Sequence, residues 1–289
     1  MWCVDRPPFE AGKTFAACIS RVQDRDLKLR LEGVADHVKD EAAVYVEHAE
    51  AGELHLVAQT ADVAGTVTTS EMVDVYDQRM AGKRGPGRHF YDAIKLLPKY
   101  GICPFCDHRP VSTLDHLLPK RLFPALAVAP DNLIGACADC NKSKLAFAPA
   151  TEEEAILHPY FDTVEDERWL AAKVVEGTVA AVIFRTQAVA AWSDALNERV
   201  RRQFLMLGLG PLYGAQAARE ISGQAQLLGT IHDSRSADGV REELTRQAES
   251  REAVRLNSWQ AVAYRTLSEC DWFCGGGFRR SSCANPVVE

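Results

Sequence analysis

Two Cys-x-x-Cys pairs, Cys103/Cys106 and Cys137/Cys140, stand with 30 residues between them in the stretch 101–145. Thiolates three apart in a tight turn reach a common point about 2.3 Å away, so two such pairs make a tetrahedral zinc site with no position left for substrate. Any chemistry must then lie in what the ion holds together. Between the pairs are Asp115-His116 and Asn132, and Asn141 directly follows the last cysteine. His116 can take a proton from water near neutral pH, as a general base must. Asp115 offers a carboxylate oxygen and Asn141 an amide oxygen, ligand types that suit Mg²⁺ or Mn²⁺ with several waters kept. These are parts for hydrolysing a phosphodiester, the ion polarising the phosphate and shielding the leaving 3′-oxygen. Lys142 and Lys144, on a helix expected to begin near Asn141, could meet phosphate oxygens.

The order CPFC, LDHLLPK, DNL and CADCNKSK over roughly residues 91–147 resembles the HNH endonucleases of the zinc-bearing ββα-metal (treble-clef) type. The resemblance implies a hairpin and a helix clasping one catalytic divalent ion, with His116 as base and Asp115 and Asn141 as its ligands. Asn132 matches the central signature Asn, which in that family steadies the loop carrying the base. The third signature position is Asn141 where many members have His, the HNN variant. HNH domains in helical proteins of this size also resemble effectors of bacterial anti-phage systems such as Septu, which act with an ATPase partner; restriction-type enzymes are the other setting.

A non-catalytic zinc-stabilised module that binds nucleic acid or protein accounts for the cysteines equally well and leaves Asp115-His116 without a task. CPFC also resembles the CPYC of glutaredoxins, but that motif needs no second pair. His108 reads as part of the knuckle loop. Cys270, Cys274 and Cys283 could hint at a second metal, yet on a glycine-rich tail with no nearby His they read as free thiols.

The chain has 289 residues, 47% apolar and 25% charged, ordinary for a globular protein with a sizeable core. Nine cysteines with four given to zinc fit a reducing compartment. Asp5, Arg6, Pro7 and Pro8 interrupt the N-terminus, and no apolar run is long enough for a membrane, so a cytoplasmic protein is expected. The net charge is −7, but residues 83–147 hold ten Lys/Arg against five Asp, an excess of +5 that leaves −12 for the remainder. A basic island in an acidic protein suits local phosphate binding, DNA first with RNA left open, and a protein partner that supplies further contact.

The elements that position these residues are mainly helical, around a central ββα module and a small β-hairpin. Three regions are expected: helices in 1–82, the HNH module with its four-cysteine zinc site in 83–148, and a hairpin followed by helices in 149–289. Apolar spacing over 14–50 predicts two helices breaking near Gly33, and 52–69 reads as strand or loop. A helix opens at Ser70-Glu71 and ends at Gly82. Residues 83–88 then read as a mobile basic loop, with Arg88, like Lys120, a candidate phosphate contact or merely solvated. A helix over 89–100 leads to the first knuckle, with Tyr91 packing. His158 reads as a hydrogen-bonded structural residue. Glu176-Gly177 marks a hairpin. Helices follow from Gln187, parted at Gly208–Pro211 and within 233–239, with Arg199, Arg201 and Arg202 either joining the DNA surface or forming a solvated stripe. The tail from Gly275 onward should be loose.

Overall fold

The computed structural model describes residues 2–144, 146–177 and 179–281; Cys283 and the end of the tail lie outside them. It is mainly helical, with three two-stranded antiparallel sheets among the described residues. Contacts divide the chain into two units, Met1–Thr163 with Asp194–Gln203, and Val164–Ser193 with Phe204–Glu289.

The first unit opens with three helices, α1 (Ala11–Ile19), α2 (Arg25–Gly33) and α3 (Ala35–Ala51). The expected break near Gly33 is present, and a second falls before Asp24, whose side chain accepts the Leu27 N–H and caps α2. A short hairpin, β1 (Asp62–Val63) and β2 (Val67–Thr68), leads into α4 (Thr69–Asp74). Thr68 and Glu71 form a capping box there, and Glu71 also takes a two-pronged contact from Arg30 of α2. After Asp74 the helix widens over Val75–Met80 to hydrogen bonds spanning five residues, such as Ala81 N–H to Tyr76 O at 2.8 Å.

The basic stretch before α5 (Arg88–Lys95) is tied down rather than mobile: Gly85 N–H bonds Gly82 O, and Gly87 N–H bonds Arg79 O. Gly87 is required, since a Cβ there would lie 2.4 Å from Cys18 Sγ. The helix α5 stops at Lys95, short of the expected Tyr100, because Pro98 cannot continue it.

Next come β3 (Thr113–His116) and β4 (Leu133–Ala136), paired Thr113↔Ala136, Leu114↔Gly135, Asp115↔Ile134 and His116↔Leu133. The helix α6 (Ala138–Lys144) follows and packs on β3. Phe15, Leu31, Val38, Met72, Ile94, Leu114 and Leu133 bury their side chains in one core. The helices of 1–82 and the cysteine module thus fold as one unit rather than two regions. Residues 194–203 of α7 (Asp194–Met206) also belong to it.

In the second unit the expected hairpin is β5 (Leu170–Val175) with β6 (Ala181–Thr186), six pairs in register. The long α8 (Leu209–Glu252) lies along β6, and Gly214 permits the approach, since a Cβ there would be 3.2 Å from Val182 O. Its one non-helical residue, Ser236, falls inside the expected break at 233–239. The helix α9 (Trp259–Ser268), capped by Ser258, packs on α8 and β5. Asn257 pins the start of β5, accepting from Trp169 and Leu170 N–H and donating to Glu167 O. The short α10 (Asp271–Cys274) is followed by one 3₁₀ turn over Gly277–Ser281, where Phe278 is buried edge-on against Phe273, so this part of the tail is packed rather than loose.

Among the described residues no helix is long and apolar enough to cross a membrane.

Candidate functional site

The first Cys pair sits in a tight loop closed by the Ile102–Pro110 bridge, with Cys103 N–H on Arg109 O at 2.9 Å and Asp107 in the left-handed region at φ 48°. The second pair straddles the start of α6. All four cysteines are buried, and their Sγ atoms lie within 4.8 Å of one another. Tetrahedral ligands at 2.3 Å would stand about 3.8 Å apart, and Cys106 and Cys137 already do at 3.9 Å. Backbone N–H groups of Arg109 and Cys140 donate to Cys106 and Cys137 sulfurs, each at 3.4 Å, contacts that favour thiolate. An Arg109–Asp139 ion pair at 2.8 Å joins the two loops. These four residues can hold a zinc ion.

Along β3 and α6 lies a cleft of about 460 Å³. Asp115, His116 and Asn141 all line it, with Lys120, Arg121 and Lys142. His116 is 9% exposed, and its Nε2 lies 2.8 Å from Ala127 O. A carbonyl only accepts, so Nε2 carries the proton and Nδ1 keeps its lone pair. Burial, with Lys120 and Lys144 adding to it, pushes the His116 pKa down to about 3, so the ring is neutral. The edge of Tyr76, set by the widened turn, meets the His116 ring at 4.3 Å between centroids.

Asp115 is 4% exposed, and its Oδ2 is a buried atom with no protein partner among the described residues. Burial raises its pKa to about 6 against the opposing pull of Lys144. A buried carboxylate oxygen left unpaired costs about 1–3 kcal/mol, so the donor set of Asp115 and Asn141 fits a hard divalent cation.

Asn132 is fully buried and works as a clamp: Oδ1 accepts Leu118 N–H at 2.8 Å, and Nδ2 donates to Leu118 O at 2.9 Å and Leu126 O at 3.3 Å. It closes the loop that leaves His116. Lys142 and Lys120 reach the cleft, Lys120 over the Tyr76 ring and paired with Asp77. Lys144 does not. It is 3% exposed and turns inward, donating to His116 O at 2.5 Å and Leu117 O at 3.0 Å and pairing with Asp115 Oδ1 at 3.4 Å. Arg88 is taken by Asp92 and lies over Tyr91, which lines the cleft.

The remaining candidates fall elsewhere. His158 is enclosed and bonds Tyr45 Oη at 2.9 Å and Asp131 O at 3.1 Å. Arg199 is buried on Asp162, while Arg201 and Arg202 pair with Glu198 and Glu154. Cys270 and Cys274 form no metal-binding group among the described residues. Sequence reasoning missed Tyr76, whose stretch carries no signal for the widened turn that delivers it.

The chain is similar to Protein ea31 of Escherichia phage lambda, 30% identical over 172 residues. That match covers 58% of this chain and 58% of the relative, so the chain spans little more than half of the relative's length. No protein-family model matches the chain, and no solved structure does.

Proposed function

We propose that the chain is a metal-dependent endonuclease of the HNH (ββα-metal, treble-clef) type that hydrolyses phosphodiester bonds, with DNA as substrate. The observation that carries this reading is the cleft itself, where a neutral histidine with a free Nδ1 and a carboxylate with an unpartnered oxygen stand beside a closed four-cysteine site.

In this reading a water in the cleft gives its proton to His116 Nδ1, and Ala127 O holds the ring so that this lone pair faces the water. Asp115 and Asn141 would hold Mg²⁺ or Mn²⁺, which when bound supplies charge to the phosphate and the leaving oxygen. Asn132 keeps the loop behind His116 in place. Lys142, Lys120 and Arg121 position phosphate along the wall. The +5 excess in residues 83–147 against −12 elsewhere supports weak, salt-sensitive binding by the isolated chain and a partner protein that brings it to DNA. The Septu-like setting, with an ATPase partner, rests on family resemblance.

Purified protein incubated with plasmid and Mg²⁺ or Mn²⁺ should nick or linearise it; EDTA and His116→Ala should both stop the cleavage. RNA cut in preference to DNA would move the substrate class. One observation favours the competing reading of a non-catalytic zinc-stabilised binding module: Lys144 already pairs with Asp115, as it would if the carboxylate were structural. Wild-type protein that binds nucleic acid and cuts none under any divalent ion would decide for it.

A further inference from the structure

A divalent ion is held by the charge its ligands bring, and Mg²⁺ sites commonly draw part of that charge from substrate phosphate. Asp115 is the one acidic residue lining the cleft among the described residues, and Lys120, Arg121 and Lys142 line it too. Behind the carboxylate stands Lys144. Its ammonium group donates to His116 O at 2.5 Å and Leu117 O at 3.0 Å and forms an ion pair with Asp115 Oδ1 at 3.4 Å. A cation this deep is fixed where its partners are. Asn141 and Lys144 are three apart on α6, so both face β3, one as a neutral ligand and the other as a positive charge against the only anionic one.

Resting on the endonuclease reading, we propose that Lys144 is an internal counter-charge that keeps the cation site weak until nucleic-acid phosphate enters the cleft, so that the metal ion and the nucleic acid bind in concert. The phosphate supplies the negative charge that Asp115, offset by Lys144, does not. By linkage each ligand tightens the other by the same factor.

The test uses full-length His116→Ala protein, which cannot consume the probe, and the electron paramagnetic resonance of free Mn²⁺. A short DNA duplex should tighten Mn²⁺ binding by about tenfold or more, and Mn²⁺ should tighten the duplex by the same factor, within the ordinary range for coupled binding. Adding Lys144→Met should tighten Mn²⁺ in the absence of DNA and shrink the duplex effect, while Lys144→Arg should behave as Lys144. Equal Mn²⁺ affinity with and without duplex overturns the proposal, and this arm decides alone where Lys144→Met fails to fold. Unchanged Mn²⁺ affinity in a folded Lys144→Met protein overturns it too. If wild-type protein cleaves plasmid while Mn²⁺ ignores DNA, this inference falls and the endonuclease reading stands; if neither cleavage nor linkage is found, both fall.

Discussion

His116 and His158 lie in the same unit, and burial pushes both their pKa values down to about 3. Each sets Nε2 against a backbone carbonyl, Ala127 O and Asp131 O respectively. They differ in the other nitrogen. Tyr160 N–H donates to His158 Nδ1 at 3.2 Å, Tyr45 Oη meets Nε2, and Phe161 packs edge-on at 4.6 Å. His158 has no lone pair to spare and no exposed surface, whereas His116 Nδ1 is untaken and its ring borders the cleft. Burial and a shifted pKa therefore do not tell the two rings apart; the untaken nitrogen of a ring at a cavity does, and the proposed role of His116 as base rests on it. One turn, Pro130–Asn132, serves both regions, through the Asp131 carbonyl on one side and the Asn132 amide on the other.

The most severe way to break this contrast is to remove the sulfur site under His116. Purified protein should carry about one zinc per chain, and a structural zinc is worth on the order of 10 kcal/mol. Cys103→Ser with Cys137→Ser should lose the ion, the melting transition of the first unit and all cleavage; unchanged zinc content and melting would rule out the four-thiolate site. Next in size are the histidines themselves. His116→Ala should cut cleavage by roughly 10²-fold or more with melting nearly unchanged. His158→Ala should do the reverse, costing about 2–4 kcal/mol through a cavity and unpaired partners while each folded molecule still cleaves. Urea melts and single-turnover rates of the pair check this, and cleavage lost in a fully stable His158→Ala protein would exchange their roles.

A smaller effect is acid sensitivity. Both rings stay neutral in the folded protein, while the unfolded chain takes up protons near pH 6.5. The unfolded state thus binds more protons as pH falls from about 6.5 toward 3, and stability falls with it, by about 1.4 kcal/mol per unit for each such ring. In His158→Gln the slope of stability against pH between 6 and 4 should flatten by about that amount; an unchanged slope would mean that the ring is charged when folded. The slightest expected change is at the rim of the cleft. Lys142→Ala should lower the salt dependence of DNA binding by about one unit of log–log slope, and Arg88→Ala, whose guanidinium is already held by Asp92, should leave it unchanged.

Much of this was legible because the signals were local. Two cysteine pairs announce a metal cluster whatever surrounds them, whereas Thr113–His116 has no apolar alternation of its own and reads as a strand only through the family resemblance. Glu176-Gly177 marks the turn between β5 and β6. What escaped depends on contacts far along the chain. Lys144 reads as a surface charge at a helix end and is buried only because α6 packs on β3, which brings Asp115 and two carbonyls to it. Residues 20–24 break the first helical stretch because Asp24 caps α2, a choice that competes with mere continuation of the apolar pattern. The fusion of 1–82 with the cysteine module follows from a shared core, which periodicity within each segment cannot reveal.

The hairpin that carries Asp115 and His116 is only four pairs long. Ladders of that length slide easily, and a slip of a single position would turn every side chain to the opposite face, exchanging the places of acid and base. Here both ends are stopped. Ala136 runs straight into Cys137, and Leu133 is preceded by Asn132, whose side chain grips Leu118 beyond the other strand. The sulfur cluster and the amide act as two end stops on a short rail, and between them they leave one place for His116 to stand.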